Sequence, residues 1–251
     1  TIASGTTIPL GDSPTTTFGD SGATGIVNNG TITVGTGTWT MTFGASAPFT
    51  NNGTITTKTV TRVKANGTFT NSTNSTVNFI GDVDGAADTF SINTFATTYY
   101  NLTFNATDGT SDIFQPGATL TINKDITVTA GIFRANSNDL SGAGASDTFS
   151  VANGAIFEMT GTTVYPASFT TYTYGATSTV RYNQSGALTV TNASYGHLDL
   201  KPSAAVTFTL PGTLSTIVGD LTIGDGSAAG IVNADTNDPT LDVNGHLVIA
   251  A

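Results

Sequence analysis

The stretch "TLTINKDITVTAGIFRANSNDL", residues 119–140, holds three apolar segments in barely twenty residues. Leu120 and Ile122 alternate with polar neighbours, Ile126 and Val128 do the same, and Ile132 and Phe133 follow Gly131. Alternation at period two marks a half-buried strand. The turns between the segments have room for only two or three residues. Three short strands joined this tightly have the size of one coil of a β-solenoid.

Outward from this stretch the same pattern recurs. In "TWTMTF", residues 38–43, Trp39, Met41 and Phe43 share one face and Thr38, Thr40 and Thr42 the other. "TITV" (31–34), "YNLTF" (100–104), "VTFTL" (206–210) and "DLTI" (220–223) alternate in the same way. Threonine fills most outward positions, because a β-branched side chain suits a pleated surface and its hydroxyl tolerates water. Helical periodicity is absent. Turn residues punctuate the strands: "NNG" at 28–30 and 51–53, and "PG" at 116 and 211. Strands of four to six residues every eight to twelve positions indicate an all-β sandwich, barrel or solenoid.

The chain also repeats over a longer distance. "GDSGATGIVN" (19–28) returns as "GDGSAAGIVN" (224–233), "STVNF" (75–79) as "STVRY" (178–182), and "YYNLTF" (99–104) as "YGHLDL" (195–200). "PGATLTINKDITV" (116–128) matches "PGTLSTIVGDLTI" (211–223). The order is collinear, which predicts about 2.5 copies of a unit of roughly 100 residues: 1–74 (partial), 75–177 and 178–251 (partial) within one elongated domain, 1–251. Leu102 with Leu198, and Ile126 with Leu221, are then expected at equivalent places. The fold expected is an all-β parallel β-solenoid, since a solenoid can stop at any coil. Tandem immunoglobulin-like β-sandwiches are the alternative, but they call for whole copies and linkers.

Composition narrows function. The 251 residues are 38% hydrophobic, enough for a sizeable core, and only 10% charged, with 7 Lys plus Arg against 17 Asp plus Glu and a net charge of -10. An acidic surface without a basic stripe has nothing with which to release counterions from phosphates, so nucleic-acid binding is excluded. Cysteine is absent, which removes disulfides, thiol catalysis and thiolate metal sites. No apolar run is long enough for a membrane-spanning helix, and no membrane insertion is expected. The sequence begins at Thr1 rather than Met, as a processed or trimmed product would.

"YYNLTF", "KDITVTAGIF" (124–133) and "VNGHLVI" (243–249) resemble the Thr/Gly/Asn-rich repeats of bacterial and archaeal surface proteins, including autotransporter-like and filamentous-haemagglutinin-like adhesins. The resemblance implies a right-handed parallel β-solenoid acting as a stalk, fibre or adhesive surface. It carries over no functional residue.

Candidate chemistry is sparse. The sharpest ligand pattern is "GDVDGAAD" (81–88), where Asp82, Asp84 and Asp88 follow D-x-D-G-x-x-D spacing. Alternating carboxylates can converge on one hard cation while the glycine permits the turn, so a calcium ion is the candidate cofactor. Aspartate is also an ordinary turn residue, and that is the reading for Asp235, Asp238 and Asp242. Lys58, Arg62 and Lys64 lie close together, as a solvated strand face would. His197 and His246 each stand in "GHL" at different positions of the long repeat, pointing outward by alternation. No nucleophile elbow occurs, and no enzymatic activity is expected. Nine N-x-[ST] sequons, at Asn29, Asn52, Asn66, Asn71, Asn74, Asn101, Asn105, Asn183 and Asn192, allow glycosylation.

The expectation is therefore an extracellular or cell-surface structural protein, the subunit of a filament, stalk or coat. Both ends, "TIASGTTIPL" and "NGHLVIAA", are uncharged and strand-like, and each offers a template for the other, so the expected partner is a second copy joined head to tail. The rival is an adhesin module binding cell-surface glycans, with Tyr99, Tyr165, Tyr172, Tyr174 and Tyr195 as a stacking face. On a β protein such residues also form cross-strand ladders.

Overall fold

The computed structural model describes residues 1–10, 16–18, 25–34, 39–43, 48–58, 60–65, 69–82, 84–92, 96–107, 112–138, 140–143, 146–163, 165–166, 168–213, 216–225 and 230–250; for 10, 16–18, 34, 39–43 and 60–65 it describes the backbone alone. Among these residues every regular element is a strand, and every strand pair is parallel. Parallel strands cannot be joined by hairpins. The chain instead winds, laying each turn on the one before. It is a parallel β-solenoid, and no immunoglobulin-like antiparallel pairing occurs among the described residues.

Residues 119–140 form one of these coils. The strand Leu120–Ala130 carries two faces: Leu120–Ile122 pair with Leu140–Gly142, and Asp125–Val128 pair with Thr148–Val151, with the corner at Asn123 and Lys124. Leu140 thus stacks directly on Leu120. The second corner is Gly131, whose φ of 81° is in the left-handed region and whose missing Cβ would sit 2.8 Å from the Asp112 carbonyl oxygen. Any side chain would clash there, so the turn into Ile132–Asn136 requires glycine.

Two large sheets carry the stack. The nine-stranded sheet runs from Thr7–Leu10 to Thr171–Tyr174, and the eight-stranded sheet from Thr89–Ser91 to Leu247–Ile249. Three three-stranded sheets complete the faces. Inward residues make continuous columns. Ile32, Ile55, Val77, Leu102, Ile126 and Phe149 lie in register in the first sheet, and Phe114, Phe133, Phe157, Val180, Leu198 and Leu221 in the second, all inaccessible to solvent. Phenylalanines stack along the axis, Phe79 on Phe104 with centroids 6.0 Å apart and Phe133 on Phe157 at 5.9 Å, and Phe104 packs across the core on Phe133 at 4.5 Å. Burying each such side chain contributes about 1.5–3 kcal/mol.

The step of the stack is one coil. Register partners in successive coils lie 18 to 26 residues apart in sequence, mostly 22 to 25. The two "NNG" motifs fall on this step. Asn28 Nδ2 donates to Asn51 Oδ1 at 2.9 Å and Asn51 Nδ2 to Asn71 Oδ1 at 3.2 Å, with Asn28 and Asn51 fully buried. The long-range matches relate different sheets, against the expectation of equivalent places. Leu102 and Ile126 pair in the nine-stranded sheet, while Leu198 and Leu221 pair in the eight-stranded one. Past Tyr174 the first column narrows to single bridging residues, Tyr195, Ile217 and Val243, so strand Leu198 follows only three residues after Tyr195. A slip of that size moves the match to the next face.

Candidate functional site

Four groupings of polar side chains emerge from the stack. The first is the acidic loop after strand Thr76–Phe79. One carboxylate oxygen from each of Asp82, Asp84 and Asp88 lies within 4.8 Å of the other two. The loop is held by Gly85, at φ 81°, and by the Ala86 N–H donating to Asp84 Oδ1 at 2.8 Å. Asp82 is 6% exposed; one of its oxygens is ion-paired with Lys58 Nζ and the other has no hydrogen-bond partner. Lys58 also lies 5.7 Å from the centre of the Phe90 ring, so it is a buttress of this loop rather than a solvated side chain. The side chains of Arg62 and Lys64 lie outside the described residues. Asp235, Asp238 and Asp242 form no comparable group: Asp242 accepts from Thr216 Oγ1, and the Asp235 N–H is turned onto Asn233.

The second grouping was hidden in the sequence. On the outer face of the eight-stranded sheet the register aligns Arg134, Glu158, Arg181 and Asp199. Arg134 Nε meets Glu158 Oε2 at 2.5 Å, Arg181 reaches Glu158 at 3.6 Å and Asp199 at 3.0 Å, and Lys201 reaches Asp199 at 3.3 Å. Asn183 Nδ2 adds a bond to Glu158. Glu158 is only 2% exposed although its strand position points outward, because its neighbours cover it. Signs alternate along the axis, and each charge is neutralised by the next coil. No single-strand pattern could have found this ladder, since its members are a coil apart.

The third brings the two histidines together. They share one turn column, two coils apart, with Asp220 on the coil between them. The Gly219 N–H donates to the Gly196 carbonyl and the Gly245 N–H to the Gly219 carbonyl, so His197, Asp220 and His246 stack. The Asp220 N–H donates to His197 Nδ1 at 2.9 Å, and Asp220 Oδ1 accepts from the His246 N–H at 2.8 Å and lies 3.1 Å from His246 Nδ1. The His246 backbone bond first, then its ring, hold the Asp220 carboxyl below its ordinary range.

The fourth corrects the tyrosine face. Tyr99, Tyr165 and Tyr195 are buried and Tyr172 and Tyr174 half-buried. Tyr165 and Tyr174 hydroxyls are 2.5 Å apart, Tyr182 and Tyr195 hydroxyls 3.2 Å, and Tyr174 stacks on Tyr195 at 5.7 Å. Burial pushes the phenols of this cluster upward. These rings are a hydrogen-bonded core, not an exposed stacking surface. Beside them a cavity of about 490 Å³ opens, with Tyr165 and Tyr182 in its wall.

No protein-family model, curated protein or solved structure matches the chain. What stands is a parallel β-solenoid with threonine-rich strands that carries an ion-pair ladder and an acidic loop.

Proposed function

We propose that this chain is a structural protein of an extracellular or cell-surface assembly, a filament, stalk or coat in which copies join head to tail. The observation that carries the proposal is the last coil. Leu247, Val248 and Ile249 pair on one side with Leu221–Ile223 and have no strand on the other among the described residues, and Leu247 is 58% and Ile249 69% exposed. Ile231 and Leu241 are exposed beside them. A cluster of exposed apolar side chains on the last coil marks an interaction site, and a second copy is the occupant whose own coils repeat the same cross-section. The contact is heterologous, so it extends into a line rather than closing.

The opposite end differs. The Thr31 N–H donates to the Thr6 carbonyl, so by strand alternation Thr7 and Pro9 turn their main chain to the free edge. Proline has no N–H there and weakens simple edge pairing. Apolar contact with the last coil therefore drives the joint more than sheet extension does. The resemblance to surface-protein repeats supports the same reading, and the proposal gives the chain no catalytic role, since Glu158 and its arginines are engaged with one another.

Sedimentation at rising concentration tests it. Elongated oligomers are expected, and the double substitution Leu247→Lys, Ile249→Lys is expected to leave monomers. A monodisperse monomer at all concentrations overturns the assembly. As part of the same proposal, Asp82, Asp84 and Asp88 hold a calcium ion that ties their loop to the stack, using the unpaired Asp82 oxygen as one of the six to eight oxygen ligands this ion takes.

A further inference from the structure

The cavity lies where strands Ile156–Gly161 and Thr179–Gln184 end against the short strand Leu188–Thr189. Its volume, about 490 Å³, is in the range of small-molecule sites, which combine apolar walls with a few placed polar groups. Among the described residues no charged side chain lines it; threonine hydroxyls, two tyrosines and a carboxamide supply the polarity, and Ala187 and Leu188 are among its apolar walls.

Gln184 is the informative residue. Val180, Tyr182 and Gln184 share the inward face of one strand, and all three are buried, Gln184 at 3% exposure. A carboxamide at this core position breaks the apolar alternation set by Val180 and Tyr182 in its own strand. Its Nε2 donates to the Thr163 carbonyl at 2.9 Å, but its Oε1 has no hydrogen-bond partner. The tyrosine hydroxyl nearby is already engaged, Tyr182 accepting from the Thr191 N–H at 3.2 Å and meeting Tyr195. A leucine or methionine would fill position 184 without leaving a buried acceptor unsatisfied. Among the described residues of the lining, Gln184 Oε1 is thus a buried side-chain acceptor that a hydrogen-bond donor would satisfy.

We propose that this cavity binds one uncharged, hydroxyl-rich ring: a neutral hexopyranose unit, such as the terminal sugar of a cell-surface glycan. Its hydroxyls meet the threonines and Gln184 Oε1, and its C–H face meets Leu188, Ala187 and the tyrosine wall. An anionic sugar would lose hydration with no counter-charge in the lining, on a protein of net charge -10. The proposal is independent of filament formation, and its test is run on the assembly-blocked Leu247→Lys, Ile249→Lys chain so that the two fail separately.

The probes are methyl β-D-glucopyranoside, methyl β-D-galactopyranoside, methyl β-D-glucuronide and cyclohexanol, followed by saturation-transfer NMR and calorimetry. At least one neutral glycoside is expected to bind more tightly than the glucuronide and cyclohexanol. Ala187→Trp, at an exposed turn position on the rim, is expected to weaken it at least about tenfold with an unchanged melting curve. Gln184→Leu is expected to lose binding as well. No glycoside binding at about 20 mM, well above the millimolar limit of a useful site, overturns the proposal. So does equal binding of the glucuronide, tighter binding of cyclohexanol, or glycoside binding that Ala187→Trp leaves intact.

Discussion

Leu198, Leu221 and Leu247 occupy the same column of the same sheet. The first two are sealed from water, and the third is 58% exposed. Nothing in the side chain or its strand distinguishes them. What differs is that Leu198 and Leu221 have a coil on both sides and Leu247 has one on one side only. In this molecule burial is conferred by the neighbouring coils, and stability is close to a sum of interfaces between nearest neighbours. The middle of the stack should therefore respond to truncation far more strongly than its last coil.

The largest effect is expected at Phe104, which contacts Phe79, Phe114 and Phe133 on three other strands of the core. Phe104→Ala should lower unfolding stability by about 3–5 kcal/mol in urea titration, whereas Leu247→Ala should change it by less than about 0.5 kcal/mol in the monomer. Equal losses would mean that the last coil is covered by something in solution. Glu158→Gln should come next, at about 1–3 kcal/mol. It strips two arginines of their shared carboxylate, and the cost is limited because both guanidiniums keep partial access to water. If Arg134→Met together with Glu158→Met proves no less stable than Glu158→Gln, the ladder is dispensable as a pair.

Calcium should act more modestly. At a tenfold excess over its Kd it would stabilise by about 1.4 kcal/mol, so a chelator should lower Tm by about 3–6 °C. Superimposable melting curves with and without chelator would remove the cation from loop 82–88. Lys58→Met should deepen the calcium response by freeing the Asp82 oxygen it now engages.

The smallest effect belongs to the exposed Asp220 in the terminal coils. Its folded pKa is depressed, so its contribution is fully present above the ordinary value of 3.8 and is lost as pH falls through the lowered value. Asp220→Asn should flatten this acid limb in the local amide exchange of Gly245 and His246 while leaving the curve above pH 5 parallel to the parent's. An unaltered acid limb would show that the His246 contacts contribute nothing.

Much of the fold was legible because it is written in short range. Alternation at Leu120, Ile122, Ile126 and Val128 marks inward positions, and the tight turns of residues 119–140 limit the strands to a coil. The coil length was also present, in "NNGTITV" at 28–34 and "NNGTITT" at 51–57, but the looser 100-residue matches masked this closer repeat. The acidic loop was visible since its three aspartates are neighbours in sequence. The Arg134–Glu158–Arg181–Asp199 ladder and the His197–Asp220–His246 column were not, because each member sits one coil from the next and register alone aligns them. The tyrosines misled for a related reason. "YPASFTTYTYG" offers its rings as a surface strand would, yet Tyr165 and Phe169 are buried and the Tyr165 hydroxyl meets that of Tyr174.

A coil that returns every 18 to 26 residues, mostly 22 to 25, gives the chain a phase, much as codons give one to a message. Each full coil adds about 4.8 Å of length without altering the cross-section. Removing one whole coil, such as residues 148–170, would rejoin strands that already share a column and should yield a shorter molecule of the same kind. Removing about a third as many would set each later strand under the wrong face. Length can therefore be edited in this architecture, provided that the edit is counted in whole coils.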